Sequence, residues 1–138
     1  MRGGFPHNRI LADRLERAAL AAGATVDTEH RVALRQSVGF IDLLVVLDRR
    51  RIAIEVECSA HRVDKDVAKA RAAQADLLLI VTPDSRIADA CVRKLRRLGL
   101  LEASSGPTIK VCTLPVALQE LANFSGTKVP VNTQRQNT

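Results

Sequence analysis

The chain has 138 residues, of which 46% are hydrophobic and 26% are charged. These proportions are typical of one soluble globular domain and exclude a disordered, collagen-like or coiled-coil chain. Aromatic residues make up only 2% of the chain, which argues against proteins that bind single strands by stacking bases on aromatic side chains. The net charge of +6 at pH 7 favours a polyanionic partner.

The sequence carries no pattern for export or for cysteine chemistry. Residues 1–9 contain no apolar run of the kind found in secretory signals, and no apolar stretch is long enough to cross a bilayer. The cysteines are odd in number and widely spaced, at Cys58, Cys91 and Cys112. We therefore predict a cytoplasmic protein that does not bind membranes.

Hydrophobic periodicity predicts alternating helices and strands along the chain. Helices are predicted over residues 8–22, 64–74, 85–98 and 116–122. Strands are predicted over residues 25–35, 40–47, 52–58, 77–81 and 108–114. The order α-β-β-β-α-β-α-β-α predicts an α/β domain over residues 1–122, with a central mixed sheet flanked by helices. Residues 123–138 are largely polar, which predicts a flexible tail.

Acidic residues interrupt the second and third predicted strands, at Asp42, Glu55 and Glu57. Glu55 and Glu57 are two residues apart, so their side chains share one face of the strand. If Arg49 and Arg50 form a two-residue turn, Asp42 lies opposite Glu57 and diagonal to Glu55 on that same face. A four-residue loop that pairs Leu47 with Ile52 gives the same pairing, whereas a three-residue loop would turn Asp42 to the other face.

Carboxylates that cluster on a half-buried sheet face repel one another, and a divalent cation relieves that repulsion. Ligands that are all oxygen favour Mg²⁺ or Mn²⁺. The alternative interpretation is an ordinary strand surface that faces solvent. The position of Asp42 argues against that alternative, because Asp42 interrupts an apolar run.

The segment Gly39–Asp42, followed by a hairpin and by Ile54-Glu55-Val56-Glu57, resembles the PD-(D/E)xK nuclease superfamily, which has the restriction-endonuclease-like fold. The family has an Asp in its second strand and (D/E)-x-K in its third. The likeness covers residues 8–82, including the preceding helix and the following helix and strand. Glu57 stands where the family has its Lys, as in E-x-E members of the superfamily that are active.

The resemblance implies a metal-dependent endonuclease that hydrolyses phosphodiester bonds in DNA, with RNA as an alternative substrate. Asp42 and Glu55 would hold Mg²⁺ or Mn²⁺, with the carbonyl of Val56 as a further ligand. The cation would activate a water molecule and neutralise charge on the phosphate. Glu57 would hold a second cation or act as the general base.

Other parts of the family pattern correspond to residues outside the strands. The role of the missing Lys would pass to Lys65 or Lys69 on the next helix, although both also fit a solvated helix face. Glu16 corresponds to a metal-site Glu on the family's first helix, with an exposed surface Glu as the alternative. Gln74 corresponds to a Gln that is functional in one branch of the family, and we expect it to be a core residue or to support the site.

Basic residues are predicted to contact nucleic acid at two places. Arg49, Arg50 and Arg51 at the hairpin tip are suited to contacts with the DNA backbone, because phosphates require only accessible cations. His61 and Arg62 directly follow the third strand and should lie at the rim of the site. Solvated charges without a partner are the competing interpretation.

Two other functions are compatible with the sequence. Glu57 in place of Lys favours an inactive nuclease fold that acts as a nucleic-acid-binding or assembly module. A plain α/β interaction domain would use its acidic residues only as surface charge. If the chain is a nuclease, a single domain cuts one strand at a time, so cleavage of both strands would require a homodimer or two visits.

Overall fold

The computed structural model describes residues 6–125, and within them the predicted order of elements is confirmed. The helices are α1 (Pro6–Ala21), α2 (Val63–Ala72), α3 (Ser85–Arg97) and α4 (Leu114–Ser125). The strands are β1 (Thr25–Ala33), β2 (Val38–Leu47), β3 (Arg50–Val56), β4 (Leu77–Thr82) and β5 (Thr108–Thr113). The described chain is therefore an α/β protein with one mixed sheet.

The five strands lie in the sheet in chain order, β1-β2-β3-β4-β5. β2 is antiparallel to both β1 and β3, whereas β3, β4 and β5 are mutually parallel. β2 therefore runs against all the other strands. One edge of the sheet, which we call the C-terminal edge, consequently holds the last residues of β1, β3, β4 and β5 together with the first residue of β2.

Two apolar clusters cover the two faces of the sheet. On one face, α1 and α4 pack against residues that include Leu43, Ile54 and Leu79. On the other face, α2 and α3 pack against Ala53, Leu78 and Ile80, among others. The continuous apolar run of β2 is explained by this arrangement, since a strand covered on both faces has no solvent side to make polar.

The turn between β2 and β3 differs from the predicted one. It consists of Asp48 and Arg49, with φ of 57° and 72°, and Leu47 pairs with Arg50. The predicted turn at Arg49 and Arg50 is one residue too late. Two successive residues in the left-handed region are typical of the tight hairpin turn that matches strand twist, and Asp tolerates this region without glycine.

The new register moves each β2 residue two positions along β3. The last pair of the ladder is Leu43 with Ile54, so Asp42 lies level with Glu55. The predicted pairing of Asp42 with Glu57 is therefore wrong. Alternation is interrupted at Asp42, because Ile41 packs on the face covered by α2 and α3 whereas Leu43 packs on the face covered by α1 and α4.

The two ends of the described chain also depart from prediction. α1 begins at Pro6, two residues earlier than predicted. α4 continues to Ser125, and Phe124 packs against the apolar cluster on the α1 side. The first residues of the predicted tail, 123–125, are thus helical, and the remainder lies outside the described residues.

Among the residues described, no helix has the length and apolar character that crossing a membrane requires.

Candidate active site

The site begins where β2 and β3 stop pairing, at the C-terminal edge. Beyond the pair of Leu43 and Ile54, two backbone N–H groups donate to side-chain carboxylates instead of to backbone carbonyls of the opposite strand. The Val56 N–H donates to Asp42 Oδ2 at 2.8 Å, and the Asp42 N–H makes a long contact of 3.4 Å with Glu55 Oε1. Asp42 and Glu55 are therefore adjacent because the strands separate between them.

A third and a fourth carboxylate join Glu55 from the end of β3 and from α2. Oxygen atoms of Glu55, Glu57 and Asp66 lie within 4.8 Å of one another. Glu55 and Asp66 have no solvent exposure, whereas Glu57 is half-buried. We call Glu55, Glu57 and Asp66 the acidic triad. Each member offers a carboxylate oxygen as a metal ligand, which is the ligand type that Mg²⁺ and Mn²⁺ prefer.

Asp66 was not predicted from the sequence, although the sequence contains a signal for it. The face of α2 that packs on the sheet carries Val63, Val67 and Ala70. Asp66 lies on the same face, three residues after Val63 and four before Ala70. A carboxylate on an otherwise apolar helix face requires a partner, and here it faces two further carboxylates, those of Glu55 and Glu57.

Burial is the main cause of the unusual chemistry of Asp66. It raises the pKa of Asp66 well above the ordinary value of 3.8, and the charge of Glu55 and contact with Glu57 raise it further. Both of its carboxylate oxygens are buried without a hydrogen-bond donor among the described residues. Glu57 can share a hydrogen bond with Asp66 only when one of the two is protonated. A bound cation would satisfy these oxygens.

Lys69 reaches the site from α2. Its Nζ lies 2.8 Å from Glu55 Oε2 and donates to the Phe40 carbonyl at 2.7 Å. Asp66 Oδ1 is farther from Nζ, at 3.6 Å. The Lys69 side chain is only 5% exposed. The structure thus brings an ammonium group against the carboxylate at the centre of the site.

The other candidate lysine, Lys65, is exposed. Four residues along a helix of 3.6 residues per turn rotate the side chain by about 40°. Lys69 is rotated toward the sheet by this amount relative to Lys65. This rotation, together with a long flexible stem, explains why Lys69 enters the site and Lys65 faces solvent.

Two residues suggested by the family pattern lie elsewhere. Asn8 near the start of α1 accepts a hydrogen bond from Cys58 just after β3, and Glu16 is eight residues farther along the helix. That separation is about 12 Å at 1.5 Å per residue, and Glu16 is not among the grouped carboxylates of the described residues. Gln74 follows the end of α2, has φ of 56° and is exposed. The prediction that Gln74 is a core or supporting residue is therefore wrong.

The predicted basic contacts divide between the two ends of β3. His61 and Arg62 are exposed in the loop between Glu57 and α2, at the rim of the site. Arg51 is six residues before Glu57, which corresponds to about 20 Å along a strand. Its N–H donates to Asp76 Oδ2 at 2.8 Å and its Nε donates to the Ala73 carbonyl at 2.9 Å. The hairpin arginines are therefore remote from the carboxylates.

The neighbouring hairpin residue Arg50 also has a contact within the fold. Its guanidinium lies 5.1 Å from the centre of the Phe124 ring, a distance at which a cation and an aromatic ring attract each other. Arg49 is exposed in the turn itself. Contact of these arginines with DNA stays a prediction.

Comparison with known proteins adds no relative. Searches of protein-family models, of curated proteins and of solved structures found no match. The residues at the C-terminal edge and their contacts therefore carry the functional assignment.

Proposed function

We propose that the chain is a metal-dependent nuclease that hydrolyses phosphodiester bonds, with DNA as its first candidate substrate. The observation that carries this proposal is the acidic triad, within 4.8 Å, joined by Lys69 Nζ at 2.8 Å from Glu55. The order of elements is the one that the resemblance implies. A restriction-endonuclease-like core is part of the proposal.

The donor atoms fit a divalent cation such as Mg²⁺ or Mn²⁺. Glu55, Glu57 and Asp66 would hold it, and Asp42 lies beside them with its Oδ2 on the β3 backbone. Asp66 takes the place among the ligands that the family pattern gives to Asp42. When bound, the cation supplies a water molecule of lowered pKa and neutralises charge on the phosphate.

The crowding of carboxylates supports a role for a cation. The triad holds three carboxylates within 4.8 Å, and the Lys69 ammonium lies 2.8 Å from Glu55 and 3.6 Å from Asp66. A phosphodiester is itself an anion, so the carboxylates would repel it. Substrate binding and cation binding should therefore depend on each other.

Two side chains are suited to the proton transfers. Glu57 is half-buried and is the triad member that solvent reaches, so its carboxylate oxygen that does not hold the cation would accept the proton of the attacking water. The Lys69 ammonium has three N–H donors. The Phe40 carbonyl and Glu55 take two of them, and the next acceptor, Asp66, is 3.6 Å away. In this proposal the third N–H would donate to a phosphate oxygen.

The position of Lys69 also bears on the alternative of an inactive module. Glu57 in place of the family's Lys is the reason for that alternative. An ammonium group is nevertheless present beside Glu55, contributed by α2. Lys69 therefore supports the active form of the proposal.

Cleavage of duplex and branched DNA, and of RNA, in the presence of Mn²⁺ tests the function. We expect cleavage by the wild type, none with a chelator, and a loss of roughly 10²-fold or more in Glu55→Gln and in Lys69→Met. Glu16→Gln is the matched control, because this half-buried carboxylate lies away from the triad. Nucleic-acid binding without cleavage by the wild type would favour the inactive module.

Calorimetric titration of Mn²⁺ tests the metal site without any assumption about substrate. Saturable binding to the wild type should be lost in Asp66→Asn and weakened in Asp42→Asn. Equal binding by all three proteins would contradict the assignment of the ligands.

A further inference from the structure

Gly39 in β2 lies directly beneath the side chain of Lys69. A Cβ atom added at Gly39 would lie 2.9 Å from Lys69 Cδ, 3.2 Å from Lys69 Cγ and 3.1 Å from Leu34 Cδ1. Ordinary carbon–carbon contacts are about 3.5–4.0 Å. Any residue other than glycine at this position would therefore occupy the space of the Lys69 stem.

Backbone conformation does not explain this glycine. The glycines with positive φ in the described chain are Gly23, Gly99 and Gly106, and Gly39 is not among them. In a strand interior, glycine weakens the strand by roughly 0.5–1 kcal/mol relative to alanine. Close approach of another group is the remaining common reason for a glycine within a strand, and that group is the Lys69 stem.

The space above Gly39 determines where the Lys69 ammonium can lie. Lys69 extends from α2 across β2, and its Nζ bonds to the carbonyl of Phe40, the residue after Gly39. The same Nζ reaches Glu55 on β3 at 2.8 Å. A stem lifted off β2 could not keep both contacts, because they lie beneath it.

We propose that Gly39 is a positioning residue that holds the Lys69 ammonium against Glu55 by leaving room for the stem over β2. The effect of Gly39 on the position of Lys69 stands by itself. Its effect on cleavage rests on the proposed function, in which Lys69 donates to the phosphate.

Competitive acetylation of lysines with peptide mass spectrometry tests the position of Lys69. In the wild type, Lys69 should react far more slowly than exposed Lys65 on the same helix. Gly39→Ala should remove this protection and bring Lys69 toward the rate of Lys65. Val38→Ala, at the exposed neighbouring position of β2, is the control and should leave Lys69 protected. Undiminished protection in Gly39→Ala would overturn the proposal.

A double-mutant cycle covers the case in which Gly39→Ala unfolds or loosens the chain. Lys69→Ala removes the stem, so the stability cost of Gly39→Ala should largely disappear in the Lys69→Ala background, leaving only the contact with Leu34. An equal cost in both backgrounds would contradict the proposal. Loss of Lys69 protection together with that of every other buried group would indicate general loosening and would count against it as well.

Cleavage and Mn²⁺ titration then separate the two proposals. Gly39→Ala should lose cleavage to the same extent as Lys69→Met while it still binds Mn²⁺. Full cleavage by Gly39→Ala with Lys69 displaced would overturn the role of Gly39 in the reaction. If the wild type cleaves no nucleic acid, the proposed function fails, and the acetylation result still decides the position of Lys69.

Discussion

Asp66 is a carboxylate that the fold buries at a cost. Its pKa is raised above 3.8, first by burial and then by the charge of Glu55. The folded state therefore holds this proton more tightly than the unfolded state. The stability that this group contributes is present at low pH and is lost as pH rises from about 3.8 through the raised folded pKa.

We expect Asp66→Asn to be more stable than the wild type at pH 8, by about 1–3 kcal/mol, in a metal-free buffer. The reason is that asparagine has nearly the same shape, carries no charge and donates hydrogen bonds to its acidic neighbours. The difference should shrink toward pH 4. Urea unfolding of both proteins at several pH values measures it. A wild type that is equally stable or more stable at pH 8 would refute this account.

Asp64, two residues earlier on α2, is the matched control because its pKa shift has the opposite sign. Partial burial alone would raise its pKa, but a hydrogen bond and charge from Lys94, whose Nζ is 3.2 Å away, lower it on balance. The stability that Asp64 contributes to the folded state is therefore present above its unfolded pKa and is lost as pH falls through its lowered folded pKa. Asp64→Asn should destabilise slightly at neutral pH, since exposed ion pairs contribute little.

The residues of the site differ in how far the sequence could predict them. Period-two alternation was enough to place Glu55 and Glu57 on one face, and the interruption of an apolar run singled out Asp42. The apolar face of α2 on which Asp66 lies is visible in the sequence, but the strand end that this face covers depends on how α2 packs over the sheet. Choosing Lys69 over Lys65 likewise required the rotation of α2.

At the scale of elements, the tight turn from β2 to β3 sets which residues of the two strands are neighbours. Asp48 and Arg49 both have left-handed φ values, which cost side-chain-bearing residues about 1–2 kcal/mol each. The double substitution Asp48→Asn with Arg49→Gly should therefore stabilise the protein by about 1 kcal/mol, because this pair suits such turns. Chemical denaturation of the two proteins is the measurement.

Arg50→Gly distinguishes the observed turn from the one predicted by the sequence. Arg50 belongs to β3, pairs with Leu47 and stacks on Phe124. Glycine there should destabilise, by about 1 kcal/mol or more, because it weakens a strand and removes that contact. Stabilisation by Arg50→Gly would instead indicate that the turn lies at Arg49 and Arg50.

Elements were more predictable than the pairing between them. Hydrophobic periodicity predicts strands and helices to within a few residues, as with α3, which is predicted over residues 85–98 and spans Ser85–Arg97. The turn contains no Asn-Gly or Asp-Gly, so several loop lengths fitted the sequence equally well. The register could not fix the face of Asp42 either, because Ile41 and Leu43 on its two sides pack on opposite faces of the sheet.

At the scale of the whole molecule, the proposed function leaves open which exposed basic residues would bind nucleic acid, and two candidate groups lie at opposite ends of the sheet. The hairpin end of the sheet carries Arg49 and Arg50, and the C-terminal edge carries Arg62 and Lys65 beside the acidic triad. About 20 Å of strand separates the two ends. Hydrolysis at the triad requires the phosphate to lie at the C-terminal edge, whichever end contributes more to affinity.

We therefore expect Arg62→Ala with Lys65→Ala to weaken DNA binding and to lower the salt dependence of log K by up to about 1.8, or 0.9 for each lost phosphate contact. Arg49→Ala with Arg50→Ala removes the same charge and serves as the control, with a smaller expected effect. Fluorescence anisotropy on a duplex, measured across a range of salt concentrations, gives the affinity for DNA and the salt dependence of log K. Every protein in the series also carries Glu55→Gln to prevent cleavage. A larger loss in the control would place the main contact at the hairpin. Binding that neither pair of substitutions affects would mean that the DNA lies on another surface.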